Sequence, residues 1–171
     1  TLSYGSAGIG STNHLSGEML AMKAGVKMTH IPYRGSALAM NDLLGGGLEF
    51  MFDAPNQSLP HIRSGKLRAL GTTGHQRHRL FPDLPAIGEL VKGYELVGWM
   101  GIVAPPGLPA ALQQRLGAEV EKALAAPDTG DSLSALGLDV NFGGPDEMGR
   151  VIAADLALWG PLIKSIGLRV E

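Results

Sequence analysis

Apolar positions along the chain switch repeatedly between a period of two and a period near 3.6, and the switches predict its elements. After the short apolar start Leu2-Ser3-Tyr4, a glycine-rich turn leads into a helix over residues about 12–24, with Leu15, Met19 and Met22 on one stripe and Gly25 as its stop. Residues 26–33 (VKMTHIPY) alternate as a strand, residues 36–44 read as a short helix closed by Gly45, Gly46 and Gly47, and residues 48–54 (LEFMFDA) read as a buried strand. A helix over 56–64 then ends at Gly65, and 67–72 reads as a third strand after the loop. Strand and helix in alternation predict parallel pairing with right-handed crossovers, an α/β fold.

The pattern changes after that. Residues 74–85 (GHQRHRLFPDLP) are polar and broken by proline, which marks a linker or exposed loop. Residues 94–104 (YELVGWMGIVA) read as a long apolar strand ending at Pro105-Pro106-Gly107. Three helices close the chain, at about 109–125, 128–136 and 145–166, with a short extended piece at 140–142. Pro109 and Pro145 stand where a helix start tolerates proline, and Asp128 after Pro127 is a candidate cap. Ile152, Leu156, Trp159 and Ile163 share a face of the last helix, but Pro161 removes an amide and predicts a kink or a division after Gly160.

Composition narrows the classes. With 171 residues and 44% hydrophobic content, the chain has material for one domain or two small lobes. A formal net charge of −2, from 14 basic and 16 acidic residues spread along the chain, leaves no footprint for nucleic acid or an anionic membrane. No apolar run approaches the roughly 18 residues of a membrane span. The chain begins at Thr1 without a leader, from which an N-terminal portion is expected to be absent. It has no cysteine, so neither disulfides nor thiol chemistry enter.

The richest chemistry lies in the loop Gly5-Ser6-Ala7-Gly8-Ile9-Gly10-Ser11-Thr12, between a strand and a helix start. Backbone N–H groups and the positive helix end make such a turn an anion cradle. As a P-loop it fails, because Ser11 stands where lysine must reach the phosphates. As a dinucleotide fingerprint it fails at Asn13, which occupies the third glycine position. What remains is a cradle with hydroxyls from Ser6, Ser11 and Thr12 and no fixed countercharge, suited to a carboxylate, or else a helix cap alone.

A longer series of motifs then carries a resemblance over essentially the whole chain. The run YGSAGIGSTNHLSGEMLAMKAGVKMTHIPYRGSALAMNDLLGGGLEFMFD, followed in order by HIRSGKLRALGTT, LPAIGEL, GYELVGWMGIVAPPGLP and WGPLIKSIGL, resembles the Bug or TctC family. These are the extracytoplasmic substrate-binding proteins of tripartite tricarboxylate transporters. The resemblance implies a type II periplasmic-binding-protein fold, two α/β lobes with central sheets flanked by helices, closing on a small carboxylate. Residues 1–72 are expected to be the second, ligand-binding lobe, 73–94 the hinge, and 95–171 the C-terminal part of a first lobe that is incomplete in this chain. It implies a periplasmic location, membrane permease subunits as partners, no cofactor, no nucleic acid and no direct membrane insertion.

The family's motif puts Ser6, Gly10, Ser11 and Thr12 at the ligand, with Gly8 in the same loop and His14 placed to fix it or to serve the helix structurally. Arg34, Gly35 and Ser36, where a strand feeds a helix, form a second candidate: Ser36 can cap and Arg34 can offer a bidentate fork or lie in solvent. Asp53, at the end of the strand Phe50-Met51-Phe52, is a third, either orienting water or a ligand donor or acting as an Asx cap. Ala54 stands where the family often has asparagine. An enzyme or a sensory interaction module using the loop as an anion site is the competing reading. Ser11 with His14 lacks the rest of a triad and no G-x-S-x-G elbow occurs, while His75 and His78 lack the companions of a zinc site. No catalytic residue and no metal ligand is expected.

Overall fold

The computed structural model describes residues 1–168, so the last three positions of the expected 95–171 segment lie outside the described residues. The chain divides into two compact units, one formed by Thr1–Gly98 together with the described residues 166–168, the other by Trp99–Ser165.

The first unit is built on a three-stranded parallel sheet in the order β2-β1-β3. Its elements are β1 (Leu2–Ser6), α1 (Thr12–Ala24), β2 (Met28–Pro32), α2 (Ser36–Leu44), β3 (Phe50–Met51), α3 (Pro55–Arg63) and the short α4 (Ile87–Leu90). As the central strand, β1 has a neighbour on each side: Tyr4 lies opposite His30 of β2 and Phe50 of β3, and Ser6 opposite Pro32. Tyr4 and Ser6 are accordingly the largest fully buried side chains among the described residues.

Helix α1 lies against this strand on small residues. A Cβ at Gly17 would fall 2.2 Å from Cε2 of Tyr4, so only glycine lets the helix and the ring approach this closely. His14, Leu15, Ser16 and Met19 are buried on the same side, while Met22 is half exposed. The methionine stripe therefore packs only through Met19, because burial along α1 stops after its second turn. Ser11 and Gly25 cap the helix, Gly25 in the left-handed conformation with its N–H on the Ala21 carbonyl.

Two expected strands form no ladder. Of 67–72, only Thr72 makes a bridge, to Ala86; residues 94–104 have no β-partner, and Met100, Ile102 and Val103 are largely exposed. A strand is completed by its neighbour, and the described residues supply none here. The 140–142 piece likewise joins no sheet.

The second unit is helical: α5 (Ala110–Ala125), α6 (Pro127–Ala135) and α7 (Pro145–Ser165). Pro127 takes the first helical position, so Ala126 and not Asp128 is the N-cap of α6. Pro161 lies inside α7 without dividing it. The proline is exposed and Leu162 beside it is buried, so packing carries the helix past the single missing amide. Trp99 is tied to α7 by its indole N–H, which donates to Asp155 Oδ2 at 2.7 Å. Among the described residues, no helix is long and apolar enough to cross a membrane.

Candidate functional site

Because β1, β2 and β3 run parallel, their C-terminal ends open on one edge of the sheet, and the three loops named by the sequence gather there. The first is the glycine-rich turn after Ser6. Its neighbour after β2 is stitched to it by Tyr33 N–H on the Ser6 carbonyl (3.0 Å) and Gly35 N–H on the Ala7 carbonyl (3.2 Å). The third, after β3, is held by Asn13, whose side-chain amide donates to the Phe52 carbonyl next to Asp53.

Within the first loop most polar groups are spent on the loop itself. Ser11 Oγ donates to the Gly8 carbonyl (2.7 Å) and accepts the His14 N–H (3.3 Å), which makes it the N-cap of α1. Ser6 Oγ accepts the Gly8 N–H at 3.1 Å and lies 2.6 Å from His30 Nε2. Gly10, with φ +78°, turns its N–H onto His14 Nδ1 at 3.1 Å. Ser11 N–H is taken by the Gly8 carbonyl (3.2 Å). What stays open is the helix start: the amides of Thr12 and Asn13 have no acceptor among the described residues, and the Thr12 side chain is exposed.

Behind the loop sits a partly buried aromatic cluster that the sequence reading did not single out. The rings of His14 and His30 stack at 3.8 Å with 14° between planes, and Tyr4 lies 5.1 Å from His30 and 5.7 Å from Phe50. The Tyr4 hydroxyl donates to Glu18 Oε1 at 2.7 Å. Burial drives the His30 pKa down to about 4, helped by His14, and burial also lowers that of His14 against the pull of Glu18. Both imidazoles are therefore neutral near pH 7. His30 belongs with the candidate residues, and the parallel register that sets it beside Tyr4 and Ser6 is its only signal.

In the second loop, Gly35 with φ +116° is the N-cap of α2 and Arg34 is exposed. Ser36 is not the cap: it is already the first residue of the helix, and its hydroxyl donates to Gln57 Oε1 of α3 at 2.8 Å. The Tyr33 hydroxyl donates to Asp42 Oδ2. Asp53 is not an Asx cap either, since α3 begins at Pro55 with Ala54 as N-cap and no side-chain bond. Both Asp53 carboxyl oxygens are buried without a hydrogen-bond partner among the described residues. Desolvation pushes its pKa up to about 6, with the nearby Ala54 amide pulling weakly the other way.

The loop's serines and histidines meet in two ways. Ser11 and His14 meet through the backbone amide of His14 and not its ring. The Ser6–His30 contact lies behind the loop, with Ser6 fully buried and His30 partly so. The edge offers instead open amides, a hydroxyl and a carboxyl with unmet bonding capacity, the parts of a binding site.

The chain is similar to several known proteins. A Pseudomonas sp. (strain P51) protein described as a UPF0065 protein in the tcbD-tcbE intergenic region is 38% identical over 164 residues, covering 95% of this chain and 49% of that protein. Among solved structures, the periplasmic binding protein BugD superposes with a TM-score of 0.89 at 35% identity, over 99% of this chain and 58% of BugD. R. palustris Rpa4515, solved with adipate, gives a TM-score of 0.91 at 33% identity, over 98% and 56%. MatC (Rpa3494) from Rhodopseudomonas palustris, solved with bound malate, gives 0.83 at 27% identity, over 95% and 56%. The chain thus spans about half the length of the relatives it matches, and its α/β fold is that of these periplasmic binding proteins. The family model described as the tripartite tricarboxylate transporter family receptor, TctC, matches residues 1–168, and the chain belongs to that family.

Proposed function

We propose that the chain forms the carboxylate-gripping part of a periplasmic solute-binding receptor, which captures a small di- or tricarboxylate or a related acid and hands it to the membrane permease of a tripartite tricarboxylate-type transporter. Family membership and the adipate and malate in two similar structures support the substrate class. The observation that carries the reading is the unfilled helix start at the carboxyl edge of the sheet, where the Thr12 and Asn13 amides and the Thr12 hydroxyl remain open.

Two amides and a hydroxyl satisfy the lone pairs of one carboxylate, and the helix end adds favourable potential without a fixed cation. Ser6, Gly8, Gly10, Ser11 and His14 hold that loop in shape. Arg34, Gly35 and Ser36 line the neighbouring wall, where the Arg34 guanidinium adds long-range attraction. Asp53, whose buried carboxyl oxygens have unmet bonding capacity, receives a hydroxyl, an ammonium or a bridging water of the ligand. We keep the division into a ligand-binding lobe at 1–72, a hinge at 73–94 and a segment at 95–171 that contributes to another lobe. The ligand's second end falls to the part of the full-length receptor outside this chain. Binding one end to each of two bodies makes closure depend on a ligand that reaches both.

The test is Thr12→Val in the full-length receptor, titrated calorimetrically with adipate and malate. Loss of about tenfold or more in affinity, with folding intact, fits a charge-assisted hydrogen bond to Thr12. Unaltered affinity removes the α1 start from the site.

A further inference from the structure

The Gly10 N–H donates to His14 Nδ1, and it can do so only while that nitrogen carries no proton. The neutral imidazole of His14 therefore holds its proton on Nε2, which faces Glu18 Oε1 across 3.7 Å. A second proton has one place to go, the lone pair already occupied by the Gly10 amide. Protonation at Nδ1 adds one N–H there, breaks the N–H···N bond and leaves the Gly10 and imidazolium N–H groups opposed.

The surroundings couple this nitrogen to the whole loop. His30 of β2 stacks on the His14 ring and reaches Ser6, which in turn accepts the Gly8 N–H. Two successive glycine amides of the turn thus end on the two imidazoles, one directly and one through a hydroxyl. The ionisable groups facing His14 are Glu18 on its own helix, Tyr4 from β1 and His30 from β2. Tyr4 is un-ionised and bonded to Glu18, and burial raises its pKa further. Glu18 is the one group that favours an imidazolium at His14, while desolvation by burial opposes it.

We propose that His14 and His30 are positioning residues of the carboxylate loop, and that the loop keeps its ligand-binding form only while His14 Nδ1 is bare, so that proton uptake there expels the Gly10 amide and releases the ligand. The release step rests on the carboxylate reading given above; the lock between Gly10 and His14 does not. By linkage, affinity falls by up to tenfold per pH unit below the His14 transition.

The experiment labels the full-length receptor with 15N-histidine and 15N-glycine and follows the His14 ring nitrogens and the Gly10 amide by NMR from pH 7.5 downward. The expected result is an Nε2–H tautomer at neutral pH and a Gly10 amide that shifts with the same midpoint as His14. An Nδ1–H tautomer, or a Gly10 amide that stays in place through the His14 transition, overturns the lock. In parallel, adipate is titrated into the wild type and into His14→Asn, whose side-chain oxygen replaces the Nδ1 acceptor but does not titrate. The variant corrects for protonation of adipate itself, and the wild type is expected to lose affinity more steeply as pH falls. Equal pH dependence in both overturns the release step. Absence of binding by adipate and by every other acid of a panel of small carboxylates, at every pH and in both proteins, contradicts the carboxylate reading, and the NMR titration alone then decides the lock.

Discussion

Gly17 of α1 and Tyr4 of β1 touch so closely that a Cβ on the glycine would lie 2.2 Å from ring carbon Cε2 and 2.7 Å from the hydroxyl oxygen. The ring is wholly buried and its hydroxyl is bonded to Glu18, so it has no free direction in which to move. Gly17→Ala is expected to destabilise the fold by about 1–3 kcal/mol, as overpacked core sites do, despite alanine's better helix propensity. Urea unfolding monitored by circular dichroism measures this. Unchanged or increased stability would mean that α1 can lift off the sheet at little cost.

Ser11 uses its hydroxyl twice inside the loop, towards Gly8 and towards the His14 amide. Ser11→Ala is therefore expected to cost about 1 kcal/mol, the usual worth of an N-cap. Ser11→Asp, which can still cap, should recover most of that stability while placing a negative charge beside the proposed carboxylate and weakening its binding. A Ser11→Asp receptor that binds adipate as well as the wild type would separate this loop from the ligand.

Asp53 carries the clearest stability cost of the site. Its pKa in the fold, about 6, stands above the ordinary 3.8, so the folded state holds the proton more tightly than the unfolded chain. Stability from this group is fully present below the unfolded value and is lost as pH rises through the folded one. Asp53→Asn should consequently raise the melting temperature at pH 7.5, with the gain shrinking between pH 6 and 4. The same change should alter selectivity between malate, which has a hydroxyl donor, and adipate, which does not. A variant whose stabilisation does not vary with pH, or whose losses are equal for both acids, would assign Asp53 no such role.

Local features were legible in the sequence where one residue decides them. Ser11 before the first turn of α1, Gly25 after its last, and Gly45 after Leu44 mark ends that the structure keeps, and α3 ends at Arg63 with Ser64 as its C-cap just before Gly65. The loop around Gly8 and Gly10 was legible for the same reason. Contacts set by strand register were not: His30 meets Ser6 and His14 only because β1 and β2 align Tyr4 with His30. Ser36 does not cap although α2 begins where the pattern puts it, because Ser36 is already its first helical residue and Gly35 holds the cap position. Asp53 does not cap because α3 starts at Pro55, one residue earlier than the pattern suggests, which makes Ala54 the N-cap. Residues 94–104 have strand composition but no strand partner among the described residues, and composition cannot supply one.

The most direct test of the central claim is a thermal-shift measurement of the full-length receptor with adipate, malate and a panel of other small carboxylates, beside neutral analogues of the same size. At 100 times its dissociation constant a ligand adds about 2.7 kcal/mol to stability, visible as a clear rise in melting temperature. The account predicts such a rise for at least one carboxylate, none for its neutral analogue, and a diminished rise in Thr12→Val. A receptor that folds but responds to no carboxylate, or responds equally to the neutral analogues, would contradict it.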